Sequence, residues 1–392
     1  MLVGAPREIY PGERRVALTP SVIPTLAKAG IEAAIEHGAG AEAGYSDEEF
    51  AAKGARVLPS REELFRAADI IVQVLGPGAN DKNWAGDLPL FRRGQILVAF
   101  LRPLGALETV QALARTGVDA FAVELMPRVT RAQNMDALSA MSTVAGYKAV
   151  LLAASTLPRL FPMMTTAAGT ITPARVLVIG AGVAGLQAIA TARRLGAVVS
   201  AYDVRPAVKE QIQSLGARFV ELPVEAENAQ DAGGYARAQD ESFYRRQREL
   251  LARVVADSDV VITTAVVPGR KAPVLVTADM VRGMAPGSVV VDLAAERGGN
   301  CELTRAGETI IAHGVTLIGR CNLASEVPHD ASHMYARNLT AFLTHLVQNG
   351  QARVEADDAI IRATLLTHGG DIASPQVREF FHLGAAVSQQ AT

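Results

Sequence analysis

Three glycines stand at the spacing Gly180-x-Gly182-x-x-Gly185, directly after an apolar run over residues 176–179 and directly before a helical pattern. Gly180 permits a tight turn, Gly182 lets backbone N–H groups approach a pyrophosphate, and Gly185 lets the helix pack against the strand. The next apolar run ends in Asp203, about where a carboxylate accepts hydrogen bonds from an adenosine ribose. The spacing predicts a dinucleotide site. The alternative is an ordinary strand-to-helix turn that happens to contain three glycines.

Asp203 also bears on the choice of nucleotide. A carboxylate at this position hydrogen-bonds the ribose 2′-OH but repels a 2′-phosphate, which favours NAD(H) over NADP(H). Arg205 stands two residues further on, and its guanidinium could bind such a phosphate. We therefore expect NAD(H) on this chain and keep NADP(H) as the alternative.

A second group of polar side chains precedes a long apolar helical pattern. Its members are Arg128, Arg131, Gln133, Asp136 and Ser139. Gln133 offers both the donor and the acceptor that a nicotinamide carboxamide needs, and Asp136 and Ser139 are spaced to share a helix face. The group is a candidate for holding the reactive ring. The alternative is a capped helix start, in which Asp136 accepts hydrogen bonds from backbone N–H groups.

Composition limits the classes of function. The 392 residues carry a net charge of −2, so we expect no binding to nucleic acid and no direct contact with lipid. The start of the sequence does not resemble a signal peptide, and Lys148 and Pro158 interrupt the longest apolar stretch, so we expect a cytoplasmic chain.

Metal binding is not expected either. Cys301 and Cys321 lack metal-ligand spacing. His329 and His333 stand four residues apart, as in some zinc sites, but no third ligand is evident beside them. A capped helix start explains this segment better than a metal enzyme does.

Short apolar runs alternate with helical patterns along the chain, which is typical of α/β proteins with parallel sheets. The pattern predicts two Rossmann-like, doubly wound domains separated by a cleft and joined by long crossing helices over residues 135–157 and 331–346. Helices are also expected to begin at Thr19 and at Ser60. Strands are predicted over residues 2–4, 32–36, 69–74, 95–100, 119–123, 176–179, 198–202, 218–221, 260–264, 288–293 and 315–318.

The two predicted domains differ in continuity. Residues 1–138 and 328–380 form the first, discontinuous domain, residues 139–327 form the nucleotide-binding domain, and residues 381–392 form a flexible tail. A polar stretch over about 222–240 interrupts the rhythm of the second domain. Gly233 and Gly234 provide hinges and Tyr235 an apolar ring with a hydroxyl, which suggests a mobile lid. The alternative is a surface insertion without a role.

Five segments together resemble a known family. They are Arg14-Arg-Val-Ala-Leu-Thr-Pro20, Arg131-Ala-Gln133-x-x-Asp136, Gly180-Ala-Gly-Val-Ala-Gly185, Tyr202-Asp-Val-Arg205 and Gly233-Gly-Tyr-Ala236. Together they resemble the NAD(H)-binding component, domain I, of proton-translocating nicotinamide nucleotide transhydrogenases, over about residues 1 to 378. That component is related to alanine dehydrogenase. The resemblance implies a homodimer that exchanges hydride, as an NAD(P)⁺ transhydrogenase of the Si/Re-specific type, with NADP(H) held by a separate component. A membrane-embedded component couples this exchange to proton translocation, and the chain would lie at the inner face of the cell membrane through these partners.

The resemblance also assigns residues. Arg128, Gln133, Asp136, Ser139 and the loop residue Tyr235 would serve the dihydronicotinamide and its transfer. The remainder of the NAD(H) site would be formed by Arg131, Gly180, Gly182, Val183, Ala184, Gly185, Asp203, Val204, Arg205, Gly234, Gln247, Ala265 and Val266.

Alanine dehydrogenase is the first alternative function. Amino-acid oxidation needs a proton acceptor and a carboxylate anchor beside the hydride donor. Leu75, Arg102 and Glu296 stand where the dehydrogenases carry a substrate lysine, a catalytic histidine and an active-site aspartate, and only Arg15 matches their substrate-binding arginine. A non-catalytic NADH sensor of the same fold is the second alternative.

Overall fold

The structure is a computed structural model, and it describes residues 1–221, 241–354 and 357–384. Its strands are β1 (Leu2–Ala5), β2 (Glu32–Glu36), β3 (Arg56–Leu58), β4 (Ile70–Leu75), β5 (Ile96–Phe100), β6 (Asp119–Ala122), β7 (Met164–Thr166), β8 (Gly169–Ile171), β9 (Arg175–Ile179), β10 (Val198–Tyr202), β11 (Arg218–Phe219), β12 (Val260–Thr263), β13 (Val289–Asp292), β14 (Thr309–Ala312), β15 (Val315–Ile318), β16 (Val347–Gln348), β17 (Gln351–Ala352), β18 (Leu365–His368) and β19 (Asp371–Ile372). Its α-helices are α1 (Ile23–Lys28), α2 (Asp47–Ala52), α3 (Arg61–Ala67), α4 (Leu107–Thr116), α5 (Ala137–Thr156), α6 (Val183–Arg194), α7 (Lys209–Ser214), α8 (Glu241–Ala256), α9 (Ala278–Arg282), α10 (Pro328–Leu346), α11 (Ala359–Thr364) and α12 (Pro375–Phe380).

The described residues divide into two compact units. Residues 1–141 and 325–384 form the first unit, and residues 142–324 form the second. The predicted boundaries lay at 138/139 and 327/328. The predicted lid over 222–240 and most of the predicted tail lie outside the described residues.

The first unit contains an eight-stranded sheet in the order β19-β18-β6-β5-β4-β1-β2-β3. The strands from β3 to β6 pair in parallel and follow the spatial order 3-2-1-4-5-6 of a doubly wound sheet. Two further strands, β18 and β19, pair antiparallel at one edge. In such a sheet the connections diverge between β1 and β4, which makes the carboxyl ends of those two strands the switch point of this unit.

The second unit repeats the arrangement. Its seven-stranded sheet has the order β11-β10-β9-β12-β13-β15-β14, and only β14 pairs antiparallel. The parallel strands again follow the doubly wound order, so the switch point of the second unit lies between β9 and β12. The prediction of an α/β protein with two mostly parallel sheets is confirmed. The cleft between the domains and the crossing role of the helices stay predictions.

Helix starts agree with the sequence signals. Ser60 accepts a hydrogen bond from the backbone N–H of Glu63 and begins α3, as expected for a cap. Pro20 opens a short 3₁₀ turn that leads into α1. The apolar pattern over 135–157 becomes α5, and the pattern over 331–346 becomes α10, which lies wholly in the first unit.

Helix α5 bears on the expectation about membranes. Within the described residues it is long and apolar enough to cross a membrane by length and composition alone, whereas Lys148 and Pro158 were expected to interrupt this stretch. Ala149, Val150 and Ala153 of α5 pack in the core of the second unit. An ideal Cβ on Gly146 would lie 2.1 Å from the carbonyl oxygen of Ala184, so only glycine lets α5 approach the first turn of α6 this closely.

The antiparallel edge strands were not predicted. Strand β14 alternates partly exposed and exposed residues, and β19 has only two residues. Strand β18 begins directly after α11 ends at Thr364, so the apolar residues of the helix run into those of the strand. Edge strands bury less apolar surface than central strands, so their pattern is weak. The hairpin β7–β8 was missed for the same reason, because all six of its strand residues are exposed.

Candidate functional site

The glycine segment forms a tight turn between β9 and α6. Gly180 has a φ of +98°, a backbone conformation that favours glycine, and its N–H donates to the carbonyl of Tyr202 at 2.8 Å. An ideal Cβ on Gly185 would lie 1.9 Å from the carbonyl oxygen of Gly180, so the helix packs directly on the turn. These roles of Gly180 and Gly185 are those predicted from the spacing.

Gly182 lies differently. It is the residue before α6, it is exposed, and an ideal Cβ on it would meet no atom within 4 Å. Val183 and Ala184 follow as the first residues of the twelve-residue helix, whose first N–H groups lack intrahelical partners. An open space in front of such a helix end accommodates a phosphate group. The residues therefore fit a dinucleotide pyrophosphate.

Asp203 follows β10 and is nearly buried, with 8% of its surface exposed. Its Oδ2 accepts a hydrogen bond from the N–H of Ala181 at 2.7 Å, which ties the end of β10 to the glycine turn. Arg205 donates to the same carboxylate through its backbone N–H, its Nε and its Nη2. The pair of Asp203 and Arg205 thus forms a local ion pair at the predicted ribose position, with Val204 between them. The sequence placed both residues at this position but did not reveal that they bind each other.

The segment after β12 faces the same switch point. Thr264 donates from Oγ1 to the carbonyl of Gly180 at 3.0 Å, and its N–H donates to the carbonyl of Ile179. Ala265, the next residue, is held by the side chain of Asn300, and Val266 follows directly. Gly180, Thr264 and Ala265 are therefore brought together at the carboxyl ends of β9 and β12.

Gln247 of α8 is fully buried. Its Nε2 donates to the hydroxyl of Tyr202 at 2.8 Å, and its Oε1 has no hydrogen-bond partner among the described residues. Burial raises the pKa of Tyr202 to about 12, so its hydroxyl stays protonated at neutral pH. Gln247 was expected to bind the nucleotide, and its observed contact links α8 to the end of β10.

The polar group before α5 belongs to the first unit. A short 3₁₀ helix, Thr130–Met135, carries Arg131 and Gln133 as exposed side chains, and Arg128 lies just before it, also exposed. Arg131 donates to Asp358 at 3.1 Å. Asp136 caps α5, because Oδ1 accepts from the N–H of Ser139 at 2.9 Å and Oδ2 from its hydroxyl at 2.6 Å. Asp136 therefore caps the helix, as the alternative interpretation expected. The role of Asp136 in holding a nicotinamide stays a prediction.

Gly234 and Tyr235, the loop residues of the predicted site, lie outside the described residues.

The switch point of the first unit holds a carboxylate where the second has a glycine turn. Glu8 follows β1 and accepts hydrogen bonds from the N–H groups of Val74 and Leu75, at 2.6 and 3.1 Å, at the end of β4. Burial of this carboxyl, and then the nearby charge of Glu13, raise the pKa of Glu8 to about 8. Glu8 and Glu13 line an open cavity of about 440 Å³ together with Arg61. The sequence offered no indication of this group.

The positions that distinguish alanine dehydrogenases lie in different surroundings. Leu75 ends β4, and Arg102 follows β5 with a φ of +49°. Glu296 of the second unit accepts from the N–H of Asn322 at 2.6 Å. Arg15 is nearly buried and donates from Nε and Nη2 to both oxygens of Glu13, at 2.7 and 2.6 Å. The one matching residue is thus bound to a neighbouring carboxylate.

Metal ligands do not cluster in the part of the chain that the structure describes. No group of three or more histidine, cysteine or acidic side chains there could hold a metal ion. His329 pairs with Asp330 and stacks on Tyr45, and His333 contacts Ser21. These contacts are those of a helix start packed on its neighbours.

Sequence reasoning missed Asn300 and Thr264. A strand followed by threonine is common, and an asparagine in the segment Gly298-Gly-Asn300 is typical of a turn. Only the return of this segment to the end of β12 reveals the contact with Ala265. Two consecutive glycines before a polar residue were the one local sign of a backbone that doubles back.

Both halves of the chain match the alanine dehydrogenase/PNT family. Residues 4–145 match its N-terminal domain and residues 149–375 its C-terminal domain. The chain is 44% identical over 378 residues to an NAD(P) transhydrogenase alpha-subunit polypeptide of Rhodospirillum rubrum, covering 96% of this chain and 98% of the relative. It is 29% identical over 383 residues to alanine dehydrogenase of Bacillus subtilis, covering 95% and 92%.

A solved structure agrees with this assignment. The transhydrogenase structure from Sinorhizobium meliloti superposes with a TM-score of 0.82 at 43% identity, over 96% of this chain and 100% of that one. The resemblance deduced from the five sequence segments is confirmed. The chain therefore belongs to the alanine dehydrogenase/PNT family, and within it to the NAD(P) transhydrogenase alpha subunits.

Proposed function

We propose that this chain binds NAD(H) and exchanges hydride directly with NADP(H) held on a separate transhydrogenase component. A membrane-embedded component couples the exchange to proton translocation. The chain is active only with its NADP(H)-binding partner, transfers hydride with the Si/Re stereochemistry of this enzyme type, and uses no metal. It lies at the cytoplasmic face of the membrane through these partners, without inserting into lipid itself.

The observation that carries the proposal is the switch point of the second unit. The turn from Gly180 to Gly185, the carboxylate of Asp203 and the backbone of Ala265 meet there, and the exposed position of Gly182 leaves room for a pyrophosphate. A nucleotide bound at the end of α6 would have its phosphates on the N–H groups of Gly182, Val183 and Ala184. Asp203 would accept a hydrogen bond from the adenosine ribose in place of one of those that Arg205 donates to it.

We assign the nicotinamide end to the polar group before α5. Gln133 is exposed and carries both amide functions that a carboxamide requires, while Arg128 and the Asp136–Ser139 pair lie close by in sequence. A nicotinamide ring supplies or accepts the hydride. The task left to the protein is to hold that ring in the orientation for transfer, which is worth far more than additional binding energy.

The residues of this chain do not support the oxidation of an amino acid, which is the reaction of alanine dehydrogenases. Transfer of a hydride between two nicotinamides needs no proton acceptor, whereas oxidation of an amino acid does. Leu75 and Arg102 cannot replace the lysine and histidine of alanine dehydrogenase. Burial raises the pKa of Glu8 to about 8, but each of its oxygens accepts a hydrogen bond from a backbone N–H group, so it serves as a cross-link between the end of β1 and β4.

A homodimer is the assembly that we propose, and the β7–β8 hairpin supports it. Met164 and Ile171 are paired across the two strands and are 42% and 47% exposed, and Met163 beside them is 65% exposed. An isolated two-stranded hairpin is marginally stable in water. Clustered exposed apolar side chains of this kind mark an interaction surface, and a second copy of the chain is the occupant we assign to it.

The first test is of the reaction. NADH and thio-NADP⁺, whose reduced form absorbs at a longer wavelength than NADPH, are mixed with this chain and its NADP(H)-binding component. Reduction of thio-NADP⁺ is expected only when both proteins are present. With L-alanine and NAD⁺ we expect no sustained formation of NADH by the pure chain. NADH binding without any transfer would favour the sensor, and steady oxidation of alanine would favour the dehydrogenase.

The second test compares two glycines of the turn. Gly182→Ala places a methyl group in open space, so the stability of the empty protein should change by less than about 1 kcal/mol. NADH affinity, measured by calorimetric titration, should fall about tenfold or more, because that space is where the pyrophosphate would bind. Gly185→Ala forces a methyl group against Gly180 and should cost about 1 to 3 kcal/mol of stability even without nucleotide. Unchanged NADH affinity in Gly182→Ala would refute the assignment of the phosphate site.

The third test separates positioning of the ring from binding. Gln133→Asn keeps the amide and shortens the side chain by one methylene. The NADH dissociation constant should change little, while single-turnover transfer should slow about tenfold or more, since a displacement of about 1 Å can cost a hundredfold in rate. Gln348→Asn makes the same change on an exposed strand residue of the first unit and serves as the control. Equal transfer rates in the two variants would show that Gln133 does not position the ring.

The fourth test addresses the dimer. Met164→Lys puts a charge on the hairpin and should weaken self-association at least tenfold, or about 1.4 kcal/mol, in a sedimentation dilution series. Ile311→Lys is the control, because Ile311 is 76% exposed on the edge strand β14. A native chain that sediments as a monomer, or equal dimerisation of both variants, would contradict the assignment.

A further inference from the structure

We propose that Asn300 is a positioning residue for hydride transfer, because its side-chain amide holds the backbone of Ala265 next to the nucleotide-binding turn. The inference rests on the proposed function. It assigns a role to a residue that lies outside all the sequence motifs and does not itself need to touch the nucleotide.

The amide of Asn300 binds both sides of one residue. Its Oδ1 accepts from the N–H of Ala265 at 2.9 Å, and its Nδ2 donates to the carbonyl of Ala265 at 2.8 Å. The same Nδ2 donates a second hydrogen bond to the carbonyl of Pro273, also at 2.8 Å. These contacts resemble the pairing of two strands, but one partner is a side chain.

This segment has no regular secondary structure of its own. Between β12 and α9 the backbone forms only a turn and an isolated bridge, so it has no sheet partner along most of its length. Buried backbone groups need partners. Asn300, which is completely buried, supplies them for Ala265 and Pro273 at once. The side-chain hydrogen bonds that hold Ala265 and Pro273 therefore come from one residue.

Asn300 is itself held in place. Its N–H donates to Oδ2 of Asp292 at 2.8 Å, and its carbonyl accepts from the N–H groups of Leu275 and Val276. Asp292 is buried at the end of β13, and its Oδ1 accepts from the hydroxyl of Thr263, the last residue of β12. Gly299 has a φ of +78°, and an ideal Cβ there would lie 2.9 Å from Oδ2 of Asp292, so the chain needs glycine to return this closely.

The other side of the segment contacts the glycine turn. The hydroxyl of Thr264 donates a hydrogen bond to the carbonyl of Gly180. An ideal Cβ on Gly180 would lie only 2.6 Å from the hydroxyl oxygen of Thr264. A series of hydrogen bonds thus runs from Asp292 through Asn300 to Ala265, next to the residue that touches the turn. A shift of the segment would move the wall of the nucleotide site while leaving the phosphate position at Gly182 and the carboxylate of Asp203 in place.

This separation defines the expected phenotype. NADH affinity depends mainly on the phosphate and ribose contacts, so it should change less than about threefold when Asn300 is altered. The transfer rate depends on orientation, for which small displacements are costly, so it should fall about tenfold or more.

The decisive variant is Asn300→Asp, which keeps the size of the side chain. A carboxylate still accepts from the N–H of Ala265, but it faces the carbonyls of Ala265 and Pro273 with oxygen instead of a donor. Burial raises the pKa of such a carboxyl, and its protonated form carries one donor. Protonation of this carboxyl also stabilises the fold, so each transfer rate is divided by the fraction of folded protein at that pH. The ratio of the variant rate to the native rate, corrected in this way, should rise as the pH is lowered.

Gln95→Glu is the matched control. Gln95 is 3% exposed in the first unit, and its Nε2 donates to the carbonyls of Phe65 and Ala68 as Asn300 does to Ala265 and Pro273. The Gln95→Glu variant should lose thermal stability as Asn300→Asp does, because it also places a carboxylate against two carbonyls. Its folded fraction should transfer hydride at the native rate. Asn300→Ser, which introduces no charge, provides a second variant in case Asn300→Asp does not fold.

The measurements are calorimetric titration with NADH and single-turnover reduction of thio-NADP⁺ with the full chain and its NADP(H)-binding component. Slower transfer at nearly native affinity, with the pH-dependent recovery in Asn300→Asp, supports the proposal. Native transfer rates in the Asn300 variants, or losses matched by weaker NADH binding, overturn it. Absence of transfer by the native protein would instead refute the proposed function.

Discussion

The close approach of Gly185 to the carbonyl of Gly180 is the constraint on which the rest of the nucleotide site depends. It fixes the start of α6 directly at the end of β9 and leaves Gly182 open between them. Gly146 allows α5 to press on the same first turn of α6 from another direction. Thr264 and Asp203 then bind the turn from the ends of β12 and β10. Each contact requires the turn to be this tight, so Gly180 and Gly185 are packing residues.

The two sheets show how one topology serves two purposes. Both follow the same doubly wound order, and both therefore have a switch point where the connections diverge. In the second unit a glycine turn and a helix end leave space there for a phosphate. In the first unit Glu8 reaches across the switch point and binds the N–H groups at the end of β4. The difference lies in the partners of the backbone N–H groups at the switch point. In the first unit the side chain of Glu8 accepts hydrogen bonds from them, and in the second unit the first N–H groups of α6 have no partner within the helix.

Several polar residues turn out to have structural partners as well as proposed functional ones. Asp136 caps α5 through Ser139, and Asp203 pairs with Arg205. Such partners fix the rotamers of side chains before any ligand arrives, which reduces the cost of ordering them on binding. A capping role and a binding role are therefore compatible for one carboxylate, and the structure makes the first of them visible.

The sequence by itself determined the α/β class, the parallel strands of both sheets except the edge strand β3, the glycine turn and the family. These features depend on local periodicity and on short spacings, as at Gly180, Gly182 and Gly185, where neighbouring residues along the chain dictate the geometry. The edge strands β14 and β19 escaped, because short or partly exposed strands lack a strong apolar pattern. Strand β18 escaped because it follows α11 without a break. Only the tertiary structure revealed that Glu8 bridges to β4 and that Asn300 returns to Ala265. Those contacts join residues 66 and 35 positions apart, and no local pattern specifies which distant backbone group a buried polar side chain will satisfy.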